Sequence, residues 1–404
     1  GARAFARAVA TVLLVPLGAD GTLVAPDRVF TETGRLVDDY NMVRPNEDLY
    51  AVPPGVPFVY PFKGVHARIA LPREVADAPG WTWRTPVTLV ALSDSPRVFR
   101  VENLFSHAEA DALVDNVATI TDPDYRLERS SVGANTRAEA KKDASGAAYS
   151  SVRTSQNAFD SSSPAARAVI RRAFDLARLD YADARADGLQ LVRYAPGEAY
   201  ISHVDWFHAG ADPAFNFEPA RGGANRFATV FLYLNDVDEG GQTVFPRAEP
   251  LADAAPYTDD VDAVLRELFP DESAWQRRMA KDECYARLAV PPRKATASLF
   301  YSMRGDGVMD ERAIHGACPV VRGLKWGANL WLWNRRRHGL PPAPAADAAT
   351  DEHPVTLLIV NEAGVDVELL WRQQSVGVIE AGRSLQMNSF NTHAFDARRA
   401  AAVA

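Results

Sequence analysis

Cysteine is scarce. Two in 404 residues are too few for a disulfide-dense scaffold, so the chain depends on a packed core; Cys284 and Cys318 either pair in an oxidising compartment or remain free thiols. Long hydrophobic runs are absent too: no uninterrupted apolar stretch reaches 18 residues, and a membrane span is not supported. Positive charge is in deficit, with 44 Lys and Arg against 52 Asp and Glu, a net charge of -8. A chain of that sign offers no electrostatic footprint for a phosphate backbone, so nucleic acid is not an expected partner. An initiator methionine is also missing, which is compatible with a longer precursor. What is present is a hydrophobic content of 47%, enough over this length to bury a large core and to suggest two or three domains.

The opening GARAFARAVATVLLVPLGADG carries an apolar run flanked by arginines and can be read as the remnant of a signal segment. The preferred reading is a hairpin, VATVLLVPL and TLVAP joined by GADG, because Gly and Asp accept the backbone angles of turns. Residues 1–95 are predicted to form a β-rich region packed against the domain that follows, with His66 structural. A helix is expected to open at Ser106 with Glu109 as its capping-box partner, and another at Ser163 and Pro164 with Val169, Ile170, Ala173, Phe174 and Ala177 on its core face. Between them, SSVGANTRAEAKKDASGAAYSSVRTSQNAFD reads as a long loop, either a lid or a disordered surface segment. From Leu189 the period becomes two, in LQLVRY, AYISHVD, RFATVFLYLN, QTVF, TASLFYS and ANLWLWN. So many strands around polar inward positions predict a mainly β fold with flanking helices (α+β), a double-stranded β-helix or jelly roll. The insertion TDDVDAVLRELF is expected to be a helix capped by Thr258, with Val261, Val264, Leu265 and Leu268 on one face.

The chemistry concentrates in ISHVDWFHAG, where His203 and Asp205 are separated by one residue. On a strand, side chains two apart share a face, so an imidazole and a carboxylate there can grip one metal ion. With His315 as a distant third ligand the set becomes a 2-His-1-carboxylate facial triad, which holds Fe(II) and leaves positions open. Lys325 follows ten residues later, a cation suited to an acid's far carboxylate. His208 is not needed once that set is complete.

The blocks LQLVRYAPGEAYISHVDWF, GGANRFATVFLYLNDVDEGGQTVFP and RAIHGACPVVRGLKWGANLWLW closely resemble, in order, the core of the prolyl 4-hydroxylase family of iron and 2-oxoglutarate dioxygenases, from about Pro96 to Asn334. The resemblance implies hydroxylation of peptidyl proline to 4-hydroxyproline with Fe(II), 2-oxoglutarate, O2 and ascorbate, yielding succinate and CO2. It implies His203, Asp205 and His315 on iron, and Lys325, Tyr194, Thr229 and Tyr233 around 2-oxoglutarate. Tyr200 resembles the tyrosine beside the target proline, and Arg153, Ser155, Asp187, Arg226 and Trp331 match positions that hold peptide; each of these aromatics can equally be packing. An aspartate at 205, where related halogenases carry a small residue, favours hydroxylation. Two departures touch the peptide and not the iron: Trp333 stands where many members have histidine, and Asp187 where they have glutamate. The resemblance also favours the secretory pathway, in the endoplasmic reticulum or Golgi lumen.

The expected division is 1–95, a catalytic domain over 96–338, a Pro/Ala-rich linker over 339–354, and a β domain over 355–404. The last resembles the β domain of the von Hippel Lindau protein in Trp371, Gly382 and NSFNTHAF. That resemblance implies hydroxyproline recognition by Ser389, Phe390, His393 and Phe395, set against a plain β appendage. Two other functions stay open: a dioxygenase acting on lysine or a free amino acid, and a hydroxyproline-peptide binder with a vestigial barrel.

Overall fold

The computed structural model describes the chain apart from residues 1–5, 7–8, 10–12, 70–85, 120–125, 131–140, 143–147, 150–151, 183–184, 338–353, 362–364, 372–373, 391–394 and 401–404. It divides into two compact units, Gly1–Pro341 and Pro342–Ala404.

The first unit is built on two antiparallel sheets. The major sheet has nine strands in the order Val65–Ala67, Val87–Ser93, Val98–Glu102, Thr296–Tyr301, Arg226–Tyr233, Lys325–Trp333, Ala186–Tyr194, Gln156–Asp160 and Glu128–Arg129. The minor sheet has four, in the order Tyr200–His203, His315–Ala317, Thr243–Phe245 and Leu288–Val290. Period-two sequence explains how both faces of the major sheet are covered. Along Arg226–Tyr233, Val230 and Leu232 enter the core shared with the helices, whereas Phe231 and Tyr233 enter the core shared with Phe245, Leu288, Val290 and Ala317 of the minor sheet. Helices, major sheet and minor sheet therefore form three layers, and the two sheets together make a double-stranded β-helix. Residues before 96 contribute directly to the major sheet through Val65–Ala67 and Val87–Ser93.

The helical layer comprises His107–Ala118 and Pro164–Leu176. Ser106 caps the first and Glu109 closes the capping box, and Ser163 caps the second through the amide of Ala166. Glu109 has a further duty. The fully buried Arg172 of the second helix donates to both of its carboxylate oxygens and to the carbonyl of Leu104 (2.6 Å), which ties the two helices together. The N-terminal hairpin pairs Val15–Leu17 with Thr22–Val24, shorter than the sequence suggests. Of the loop between residues 130 and 156, most lies outside the described residues.

In the insertion, Thr258 caps the helix Asp259–Leu268, which buries Val261 and Leu265. A short helix, Trp275–Met279, runs into a π-turn over Ala280–Cys284, and there Cys284 is disulfide-bonded to Cys318. Within the second unit, Pro354–Val360 pairs with Ser384–Phe390, and Val367–Trp371 lies between Gln374–Ile379 and Phe395–Arg399. Of the four residues proposed for hydroxyproline recognition, His393 lies outside the described residues, as do the side chains of Ser389, Phe390 and Phe395.

Candidate metal centre

Strand register brings the ligands together. His203 and His315 are direct cross-strand partners in the minor sheet, so their side chains start within one strand spacing of each other, with ring centroids 4.7 Å apart. Asp205 arrives differently from the sequence expectation. The strand ends at His203, and Asp205 sits in the bend that follows, so its carboxylate approaches by a turn of the chain and not by strand alternation. Two contacts hold that bend. Thr229 Oγ1 donates to Asp205 Oδ2 at 2.7 Å, and Arg226 donates to the Asp205 carbonyl at 3.0 Å.

One donor atom from each of His203, Asp205 and His315 lies within 4.8 Å of the others. His203 Nε2 is 3.6 Å from Asp205 Oδ1, and His315 Nε2 is 3.4 Å from Asp205 Oδ2. Each imidazole has its other nitrogen, Nδ1, against a backbone carbonyl, Ile201 for His203 (2.9 Å) and Ala313 for His315 (3.0 Å). That bond fixes the tautomer and leaves the Nε2 lone pairs facing the centre. Burial lowers the pKa of His315 to about 4, against the pull of Asp205, so its ring is neutral at neutral pH. Burial would raise the Asp205 carboxyl, but the contact with His203 and the nearby Arg226 guanidinium outweigh it and hold the group ionised. Two imidazoles and a carboxylate on one side of a cavity suit Fe(II) with open positions.

Lys325 is the second unusual feature. It is Tyr194's cross-strand partner, it is fully buried, and its Nζ has no hydrogen-bond partner among the described residues. The ammonium lies 5.3 Å from the Tyr194 ring centroid, 5.0 Å from that of Phe231 and 5.9 Å from that of Tyr233. Desolvation lowers its pKa to about 7. Gly241 adopts a left-handed φ of +68° and lets the backbone pass over the lysine stem; a Cβ there would lie 3.3 Å from Lys325 Cδ. Such a cation is built to receive an anion. Tyr194 and Phe231 also line a cavity of about 310 Å³ that contains the three ligands, so the ammonium stands just behind its wall.

The family model of the 2OG-Fe(II) oxygenase superfamily matches residues 189–333. The chain is 36% identical over 146 residues to probable prolyl 4-hydroxylase 8 of Arabidopsis thaliana, a match covering 36% of this chain and 41% of that protein. It is 30% identical over 250 residues to prolyl 4-hydroxylase 2 of the same plant, covering 61% of this chain and 70% of that protein. The chain belongs to the prolyl 4-hydroxylase family. It spans less than half the length of several of these relatives, among them probable prolyl 4-hydroxylase 3 at 42%. Among solved structures, the viral collagen prolyl hydroxylase vCPH from Paramecium Bursaria Chlorella virus-1 aligns over 58% of this chain and 95% of its own, at 17% identity and a TM-score of 0.35.

In this member of the prolyl 4-hydroxylase family the remaining predicted residues fall into three groups. Tyr194, Tyr200, Arg153, Arg226 and Trp331 line the cavity. Tyr200 stacks on His203 with centroids 3.8 Å apart, and Arg153 lies over the Tyr200 ring at 4.9 Å. Burial pushes the Tyr200 hydroxyl up to about 12, so it stays protonated. Ser155 and Asp187 sit one step back. Ser155 accepts from Arg153 Nε at 3.3 Å. Asp187 accepts from Arg226 Nε (2.8 Å), Trp333 Nε1 (3.0 Å) and Arg337 (3.3 Å). Thr229 faces Asp205, and the Tyr233 hydroxyl is held between Thr243 and Ser298 at 2.9 Å each.

Sequence reasoning passed over Gln190, Asn329, Thr243, Phe207 and Phe300, all in the cavity wall. Gln190 and Asn329 are cross-strand partners, and Gln190 Oε1 accepts from Arg153 at 3.0 Å. A signal existed for both, a polar amide at an inward position between apolar neighbours in LQL and ANL. His208 is exposed, rests edge-on against Trp206 and is not part of the cluster of three candidate ligands.

Proposed function

We propose that this chain is an Fe(II)- and 2-oxoglutarate-dependent hydroxylase that converts peptidyl proline to 4-hydroxyproline. The observation that carries the reading is the convergence of two imidazole Nε2 atoms and one carboxylate within 4.8 Å in a cavity backed by a buried ammonium. His203, Asp205 and His315 would hold the metal, and Lys325 would pair with the far carboxylate of 2-oxoglutarate. Fe(II) bound there with 2-oxoglutarate and O2 supplies the oxidising power, one oxygen atom entering the proline C4–H bond and the other leaving in succinate beside CO2.

The protein's share is orientation and exclusion. Thr229 and Arg226 keep Asp205 turned inward, the Nδ1 bonds keep both imidazoles facing the centre, and an aromatic wall surrounds the lysine that would receive the anion. Arg153, Tyr200, Arg226 and Trp331 frame the opening through which a proline-bearing segment enters, with Ser155 and Asp187 fixing the two guanidinium groups. Arg226 stacks 4.0 Å over Trp331, a rigid flat edge for a peptide to lie against.

The test is succinate release from 2-oxoglutarate with a panel of proline-containing peptides, read together with peptide mass. Iron-loaded protein should release succinate and add one oxygen to a proline, and Asp205→Ala should abolish both. Full turnover by Asp205→Ala, or an oxygen found on lysine in place of proline, overturns the assignment.

A further inference from the structure

We propose that the cleft between the N-terminal hairpin and the loop after Asp205 is a second substrate subsite, which takes an apolar, extended flank of the peptide whose proline enters the metal cavity. The proposal rests on the peptide-hydroxylase reading above. The cleft has a volume of about 560 Å³, and Leu17, Trp206, Phe207, Phe217, Ala220 and Met309 are among its walls. It adjoins the metal cavity, since Phe207 stands in the walls of both. Trp206 and Phe207 directly follow the ligand Asp205 in the chain, which places the cleft wall next to the metal site.

The aromatic floor is held in place. Phe207 stacks between Trp333 (centroids 5.6 Å apart, 28° between planes) and Phe217 (4.9 Å, 18°). The fully buried Asn225 fastens this rail: its Oδ1 accepts from the Phe207 amide at 2.9 Å, and its Nδ2 donates to the carbonyls of Phe207 (2.8 Å) and Phe217 (2.9 Å). On the rim of the metal cavity, Arg226 lies 5.0 Å over the same Phe207 ring. The opposite wall is also fastened. The Gly18 amide donates to the Asp306 carbonyl at 2.8 Å, and its left-handed φ of +78° brings the turn close to Ala220, where a Cβ on Gly18 would lie 3.4 Å from that of Ala220. Both walls are thus ordered before any ligand arrives, which lowers the entropic cost of binding.

The chemistry of the cleft selects its occupant. The charges at its edge are Asp20, Glu218 and Arg221, and Arg221 is already paired with Glu218 at 2.9 Å. There is no surplus of cations to attract an acidic segment. Mostly apolar walls with little charge at their edge suit an apolar, proline-rich flank, which brings little conformational entropy to lose.

The experiment compares three decapeptides sharing one central Gly-Pro-Gly: one with Gly-Ser flanks on both sides, one with Ala-Pro repeats on the N-terminal side, and one with them on the C-terminal side. Binding to the full chain loaded with Mn(II) and 2-oxoglutarate is measured by calorimetry, and hydroxylation by the iron-loaded chain by mass. One Ala-Pro peptide should bind about tenfold tighter than the Gly-Ser peptide. Ala220→Trp, which fills the cleft, and Ala19→Glu, which puts a carboxylate at its mouth, should erase that advantage and leave the Gly-Ser peptide unchanged. Both positions are exposed and outside the metal site. Equal binding of all three peptides, or variants that weaken all three alike or none, overturns the subsite. If the Ala-Pro advantage exists and is lost in the variants, yet no proline gains oxygen, the subsite stands and the proline-hydroxylase reading falls.

Discussion

Replacing Lys325 with methionine keeps the length of the side chain and removes its charge. In the unfolded chain the ammonium titrates near 10.5, and burial brings it to about 7 in the fold. The folded state therefore binds fewer protons between those values, and protonation favours unfolding. The difference corresponds to roughly 5 kcal/mol against the folded chain below pH 7, shrinking to about 2 kcal/mol at pH 9 and vanishing above pH 10.5. Relaxation and water entry reduce these figures, so Lys325→Met is expected to stabilise the ligand-free protein by about 2–5 kcal/mol at pH 6 and by much less at pH 10. The bound co-substrate should reverse the balance. A carboxylate beside Nζ returns the lysine toward its ordinary pKa, so 2-oxoglutarate binding at pH 8 should take up a proton in the unaltered protein and not in the variant. Denaturant melts at pH 6 and 10, with calorimetry in buffers of different ionisation enthalpy, read both effects. A variant less stable at pH 6 that still binds 2-oxoglutarate with the original affinity and proton uptake refutes the reasoning.

Thr229→Val removes the hydroxyl on Asp205 Oδ2 and should weaken metal binding about 10- to 100-fold while leaving the fold intact, as measured by competition with a chelating dye. Replacing Cys284 and Cys318 together by serine opens a link between residues 34 apart in sequence, and loop-closure entropy sets the expected cost at about 4 kcal/mol, read from denaturant melts with and without reductant.

The strand pattern from Leu189 onward, the helix caps at Ser106, Ser163 and Thr258, and the three residues His203, Asp205 and His315 that converge as candidate metal donors were legible in the sequence, because each is a local signal of period or residue type. So was a cation in the right place, since Lys325 opens a strand whose alternation turns it inward. Other features were not local. Asp205 reaches the centre from a bend, Thr229 turns its hydroxyl to that carboxylate, and Asp187 gathers Arg226, Trp333 and Arg337. None of these follows from spacing, because each depends on side chains brought together by strand register over long sequence separations.

By itself the sequence determined the kind of fold and the chemical character of the centre: hydrophobic periodicity decides what must be buried, and residue type decides what can bind a metal. Tertiary structure alone decided the pairing of His203 with His315, the choice of disulfide over free thiols, and the placing of a cleft walled by the N-terminal hairpin beside the candidate metal cavity. The reason is geometric, since which distant residues share a strand register or face across a cleft is settled only when all the sheets and loops have packed.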